Sequence, residues 1–209
     1  MILEAKRIGS GQTGNTTAKI TSQHGMCYEN MIQKSGIVKA RQYAKANEEA
    51  IQAYEQIIEE GNIDCEFQRC PAYLYSQVER ECLQQEAEAA RQAGIDAEFT
   101  TKTALPFPVE GAVKFRGQAQ FHPLKFITVL ARQLCVYEHT PVTKGKEHLA
   151  ETAGGSVRAD KIVLATHFPF INFPGMYFTR LHQERSYVLA LANAPKAVSY
   201  THLRAHETR

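Results

Sequence analysis

Glu4 closes a short apolar run, Ile2 and Leu3, and the loop that follows carries Gly9, Ser10, Gly11, Thr13, Gly14, Asn15, Thr16 and Thr17. A carboxylate at the end of a strand can accept hydrogen bonds from both hydroxyls of a ribose. Bare backbone and short hydroxyls beside it let a diphosphate come close. The pattern reads as a nucleotide-cofactor site. A domain of this kind carries a further strand and a glycine turn ahead of the acid-bearing strand, and this reading expects both upstream of Met1.

Gly9, Gly11 and Gly14 also spell GxGxxG, which taken literally is a dinucleotide fingerprint. That motif needs a strand running into its first glycine, a helix from its third and an acid about 20 residues on. Lys6 and Arg7 interrupt the strand, Asn15, Thr16 and Thr17 open a helix poorly, and Glu29 does not end a strand. A NAD-binding Rossmann protein built on Gly9–Gly14 is therefore the alternative reading. A non-enzymatic helical interaction module is a second, and it requires an exposed apolar face on the helix at 38–60.

Other chemistry is not indicated. The five cysteines, Cys27, Cys65, Cys70, Cys82 and Cys135, are odd in number and form no CxxC pair, so neither a disulfide framework nor a zinc site is expected. They read as reduced thiols of a cytoplasmic protein. His24, His122, His139, His148, His167 and His182 have no ligand spacing, and the paired Cys/His motifs of a Rieske centre are missing. The net charge of +2 speaks against a nucleic-acid partner, and no apolar run reaches the length of a membrane span.

The elements that must position Glu4 and its loop follow from periodicity. Residues 1–5 read as a strand. Apolar residues at three- and four-residue steps predict a helix over 35–61, stopped by Gly61, and a second over 77–93, stopped by Gly94. Two short strands flank Pro71, and further strands are expected at 97–101 and 112–115. Pro123 starts a helix running to 134. Residues 135–138 and 147–152 read as strands of a small ribbon, and 157–165 as a strand buried on both faces because it ends in four apolar residues. A last strand is expected over 183–191.

Three blocks together resemble one family. Leu3, Glu4 and Ala5 with the loop to Thr21, the Gln118–Pro123 entry into a helix, and the 157–166 strand ending in Ala165 and Thr166 resemble FAD-dependent oxidoreductases of the D-amino-acid oxidase and glycine oxidase superfamily. A bacterial subgroup that often carries a C-terminal Rieske iron–sulfur domain is the nearer likeness. The resemblance implies FAD as cofactor, with Glu4 on the adenosine ribose and Thr13 at the diphosphate. Thr17, Ala18 and Lys19 would lie along the flavin ring, the Val142 backbone would contact adenine, and Ala165 and Thr166 would pass close to the cofactor. His167 stands where the family has glycine, which departs from its pattern.

The expected fold is α/β: a partial Rossmann-like FAD-binding domain (1–35 and 120–175) with an inserted α+β substrate domain (36–119 and 176–195). Residues 196–209 read as a non-native tail resembling translated adapter sequence, expected to pack poorly. The implied activity is hydride transfer from a small, amine-bearing substrate to flavin. This stretch by itself is expected to bind FAD weakly or not at all. No catalytic base is assigned.

Overall fold

The computed structural model describes residues 1–172 and 175–183. The chain opens with strand β1 (Ile2–Leu3), a 3₁₀ turn (Gln12–Asn15) and strand β2 (Lys19–Ile20). Helices α1 (Tyr28–Ser35) and α2 (Ile37–Glu60) follow almost end to end. Next come strands β3 (Gln68–Arg69) and β4 (Ala72–Ser76), helix α3 (Arg80–Ala93), and strands β5 (Ala97–Thr100), β6 (Gly111–Phe115) and β7 (Ala119–Gln120). Helix α4 (Pro123–Ala131) leads to β8 (Val136–Tyr137), β9 (Val142–Lys146), β10 (Leu149–Thr152), β11 (Gly155–Arg158) and a second 3₁₀ turn (Tyr177–Arg180).

Two compact units form. Residues 1–16 and the described residues from Pro123 onward make the first, and residues 17–122 make the second. Residues 17–35 and 120–122, expected with the first half, thus fold with the second. The reason lies in α1, whose Met31 and Ile32 pack against the core that α2 and α3 also cover.

In the second unit β4, β6 and β5 form an antiparallel sheet, with Leu74 opposite Val113 and Phe115 between Ala72 and Ala97. Strand alternation sends these residues to one face, where they meet Tyr28, Ala40, Ala44, Leu83, Ala87 and Ala90 of the three helices. The alanines let helix backbones approach the sheet closely. The opposite face is mixed, with buried Ala112 and half-buried Tyr73 and Tyr75 beside Lys114 of β6, which lies 3.8 Å from Glu98 of β5. A smaller antiparallel sheet, β2-β7-β3, shares a core of Ile20, Ile51 and Ala119.

Helix ends follow local chemistry at α3. Gly94 takes a left-handed conformation (φ 98°), and Ile95 donates its N–H back to the Ala90 carbonyl at 3.0 Å, closing the helix as expected. Its start is later than the expected 77, because the Ser76 hydroxyl accepts the N–H groups of Val78 and Glu79 and turns the chain first. Helix α1 is not anticipated by periodicity. Its N-terminus is held from a distance: Glu86 of α3, fully buried, accepts the N–H groups of Cys27, Tyr28 and Glu29, each at 2.9 Å.

In the first unit β1 pairs in parallel with β8, Ile2 opposite Val136 and Leu3 opposite Tyr137. Strands β9, β10 and β11 form a separate antiparallel meander. Two expectations are corrected here. Residues 135–138 do not pair with 147–152, because Pro141 breaks the chain and Val142–Lys146 takes that place beside β10. The 157–165 strand ends at Arg158: among the described residues no strand pairs with 160–165, and Val163 is 85% exposed. The strand expected over 183–191, apart from Gln183, and the tail at 196–209 lie outside the described residues.

Candidate functional site: the end of the first strand and its loop

Glu4 stands at the C-terminal end of β1, half-buried. Its N–H donates to the Tyr137 carbonyl at 2.9 Å and its carbonyl accepts the Thr140 N–H at 2.8 Å, so the residue is bolted to the β8 chain on both sides. The Lys6 N–H donates to Oε1 at 2.9 Å, which fixes the carboxylate against the strand end. Oε2 has no hydrogen-bond donor among the described residues, so one oxygen remains to accept vicinal hydroxyls. Thr140 lies two residues ahead of Val142, the half-buried first residue of β9. Glu4 and the Val142 backbone therefore belong to one strand-end neighbourhood.

The glycine loop after Glu4 is folded tightly. Glu138 reaches back to accept the Ile8 N–H at 2.8 Å. Gly9 has φ 74°, and a Cβ there would stand 2.5 Å from Leu124 Cδ2 of α4. A Cβ on Gly14 would collide with the Gly9 carbonyl oxygen. These two glycines let the loop close on itself and lie on α4. Thr13 sits exposed in the 3₁₀ turn, where its hydroxyl is open to solvent. No α-helix starts at Gly14, since the turn ends at Asn15 and Thr16 is extended. The dinucleotide fingerprint lacks the helix N-terminus it depends on.

Thr17, Ala18 and Lys19 lie in the second unit. Ala18 is in the left-handed region (φ 61°), unusual for a residue with a Cβ, and its carbonyl accepts the Phe121 N–H at 3.3 Å. Lys19 pairs with Gln120 in the β2–β7 ladder, and partial burial lowers the pKa of its ammonium. Thr17 is exposed. Ala165 and Thr166 lie exposed in the irregular stretch after β11, and no hydrogen bond among the described residues ties them to the β1–β8 pair.

Reasoning from spacing missed the buried polar groups behind the Ala18 segment, Ser22, Gln118 and Glu86. A glutamate inside the otherwise apolar stripe Leu83, Ala87, Ala90 was their one visible signal.

Comparison with known proteins gives a consistent picture. A family model described as FAD dependent oxidoreductase (DAO) matches residues 1–207. The Bacillus subtilis (strain 168) protein named "Putative Rieske 2Fe-2S iron-sulfur protein YhfW" is 34% identical over 202 residues, 91% of this chain and 40% of that protein. Glycine oxidase from Geobacillus kaustophilus superposes with a TM-score of 0.56 at 18% identity, over 79% of this chain and 48% of that one. L-proline dehydrogenase from P. horikoshii gives 0.56 at 16% identity, over 74% and 42%. L-amino acid deaminase from Proteus myxofaciens gives 0.56 at 14%, over 75% and 37%. At such identities the likeness speaks for the α/β fold. The chain spans less than half the length of each of these proteins.

Proposed function

The chain belongs to the FAD-dependent oxidoreductase (DAO) family, whose cofactor is FAD, and on that premise we propose that it is the part of an amine-oxidising flavoprotein that grips the adenosine end of the cofactor. The observation that carries the reading is Glu4, fixed at the C-terminal end of a parallel strand with one carboxylate oxygen open among the described residues. Ligands of open α/β sheets bind at that end of the strands. Glu4 would hold the ribose hydroxyls, the Val142 backbone the adenine, and the Thr13 hydroxyl the diphosphate. Thr17, Ala18 and Lys19 would lie along the ring, with Ala165 and Thr166 close to the cofactor. FAD, when bound, accepts the hydride from the substrate C–H bond.

In this reading residues 1–35 and 120–175 form the cofactor half in function, although 17–35 and 120–122 pack with the second unit, and residues 36–119 and 176–195 form the substrate half. The glycine oxidase, proline dehydrogenase and amino acid deaminase likenesses favour a small amine-bearing substrate. A Rieske iron–sulfur domain in the full-length protein is proposed from the name of the Bacillus relative. A cytoplasmic location is in keeping with five free cysteines. No helix among the described residues is long and apolar enough to cross a membrane. We hold that the 209-residue chain alone is inactive, and one-to-one FAD uptake with turnover by it would contradict this.

The experiment is anaerobic mixing of the flavoprotein, expressed from its full reading frame, with small amino acids and with their hydroxy-acid analogues. Amino acids should bleach the visible flavin bands and hydroxy acids should not. Bleaching by hydroxy acids alone would overturn the amine assignment.

A further inference from the structure

We infer that Gln118 is the positioning residue for the backbone of residues 18–22. The consequence for the cofactor rests on the functional reading above, whereas the geometry does not. Gln118 is only 1% exposed. Its Oε1 accepts the Ser22 N–H at 2.7 Å and the Ser22 hydroxyl at 3.2 Å. Its Nε2 donates to the Arg116 carbonyl at 2.9 Å and to Glu48 Oε1 at 3.3 Å. All four hydrogen-bonding positions of the carboxamide are used. Two of the partners are backbone groups, one able only to donate and one only to accept, so the amide has a single orientation.

The same residue is tied in through its main chain. Its carbonyl accepts the Cys70 N–H at 2.9 Å, and the two residues after it pair with Ile20 and Lys19 of β2. Ser22 is gripped from its other side by the Tyr28 hydroxyl, which donates to its carbonyl at 2.7 Å. Directly ahead of these fixed points lies Ala18 at φ 61°, a conformation alanine keeps only when its surroundings impose it. Gln118 thus acts through Ser22 and β2 on Ala18 and Lys19, the residues that the functional reading lays beside the flavin ring. It touches no reacting atom itself.

Hydrogen exchange on the 209-residue chain tests the positioning directly. Gln118→Met keeps the volume and removes all four side-chain bonds. Amides of residues 19–22 should then exchange at least about tenfold faster, the effect of losing one buried hydrogen bond, while those of β6 change little. Val113→Ala, in the core of the same unit, is the control for general loosening. A uniform rise across the unit, as in that control, or no rise at all would overturn the inference. Should Gln118→Met not fold, Tyr28→Phe removes only the hydroxyl on Ser22 and should loosen the same segment. In the full-length flavoprotein, Gln118→Met and Tyr28→Phe should shift the visible flavin bands and reduction potential, whereas Val113→Ala should not. Unmoved bands beside a loosened segment would overturn the action on the cofactor. A wild-type protein without flavin would count against the functional reading instead, leaving the exchange pattern to decide the positioning.

Discussion

Glu86 shows how one buried side chain can stand in for a missing helix cap. Its three N–H partners are the first donors of α1, and no residue near Cys27 offers an oxygen for them. Glu86→Ala would leave all three unpaired, that of Tyr28 buried and those of Cys27 and Glu29 half-buried, costing about 3 kcal/mol, while Glu86→Gln, which keeps one acceptor, should cost roughly half that. Urea unfolding would read both. Burial raises the Glu86 pKa against the pull of the three donors. A raised folded-state value means that folding favours the protonated form. The stability Glu86 contributes should be fullest below the ordinary carboxylate range and fall as pH rises through the raised value. The stability difference between wild type and Glu86→Gln should decline over that window, and growth with pH would show that the donors outrun burial.

A second residue-scale prediction concerns thiols. Burial first, and the Glu86 carboxylate second, push the Cys27 thiol up to about 11. Cys82 and Cys135 are exposed. Alkylation near pH 8 should label Cys82 and Cys135 and spare Cys27, since only the thiolate reacts. Rapid labelling of Cys27 in the folded chain would contradict the burial described for α1.

Among the elements, the loop after β1 makes the sharpest claim. Gly14→Ala sets a Cβ against the Gly9 carbonyl oxygen, a backbone atom that no rotamer change can move aside. Gly11→Ala meets nothing within 4 Å. Thermal unfolding should therefore show a loss of about 2 kcal/mol for the first and under about 0.5 kcal/mol for the second. Equal losses would mean that the loop does not close on itself as described.

The elements also show what periodicity could and could not reveal. The apolar steps of 38–58 and the Gly94 stop made α2 and α3 legible, because both depend on interactions within about one helical turn. Glu4 at a strand end was legible for the same reason. Helix α1 was hidden because its cap arrives from α3, 57–59 residues along the chain. The apolar run ending at Ala165 misled, since strand propensity makes no ladder without a partner strand and none pairs with it among the described residues. Gln118 gave no local sign, because its partners Ser22 and Glu48 lie 96 and 70 residues away.

At the scale of the molecule, one unit is inserted in chain order between the two halves of another. The first brings β1 and β8 into parallel register across more than 130 residues of sequence, with helix α4 entering just before β8. That is a crossover whose connection carries the second unit in chain order, and it leaves Glu4 at the C-terminal end of β1. The second builds its own core from three helices over an antiparallel sheet. Family membership makes FAD the cofactor, and the account stands on the carboxylate that would grip its ribose. The direct measurement is FAD affinity of the full-length flavoprotein with Glu4 wild type, Glu4→Gln and Glu4→Ala. Loss of charge-assisted hydrogen bonds to two hydroxyls should raise Kd by about one to two orders of magnitude in Glu4→Ala, with Glu4→Gln between. An unchanged Kd in Glu4→Ala would contradict the account.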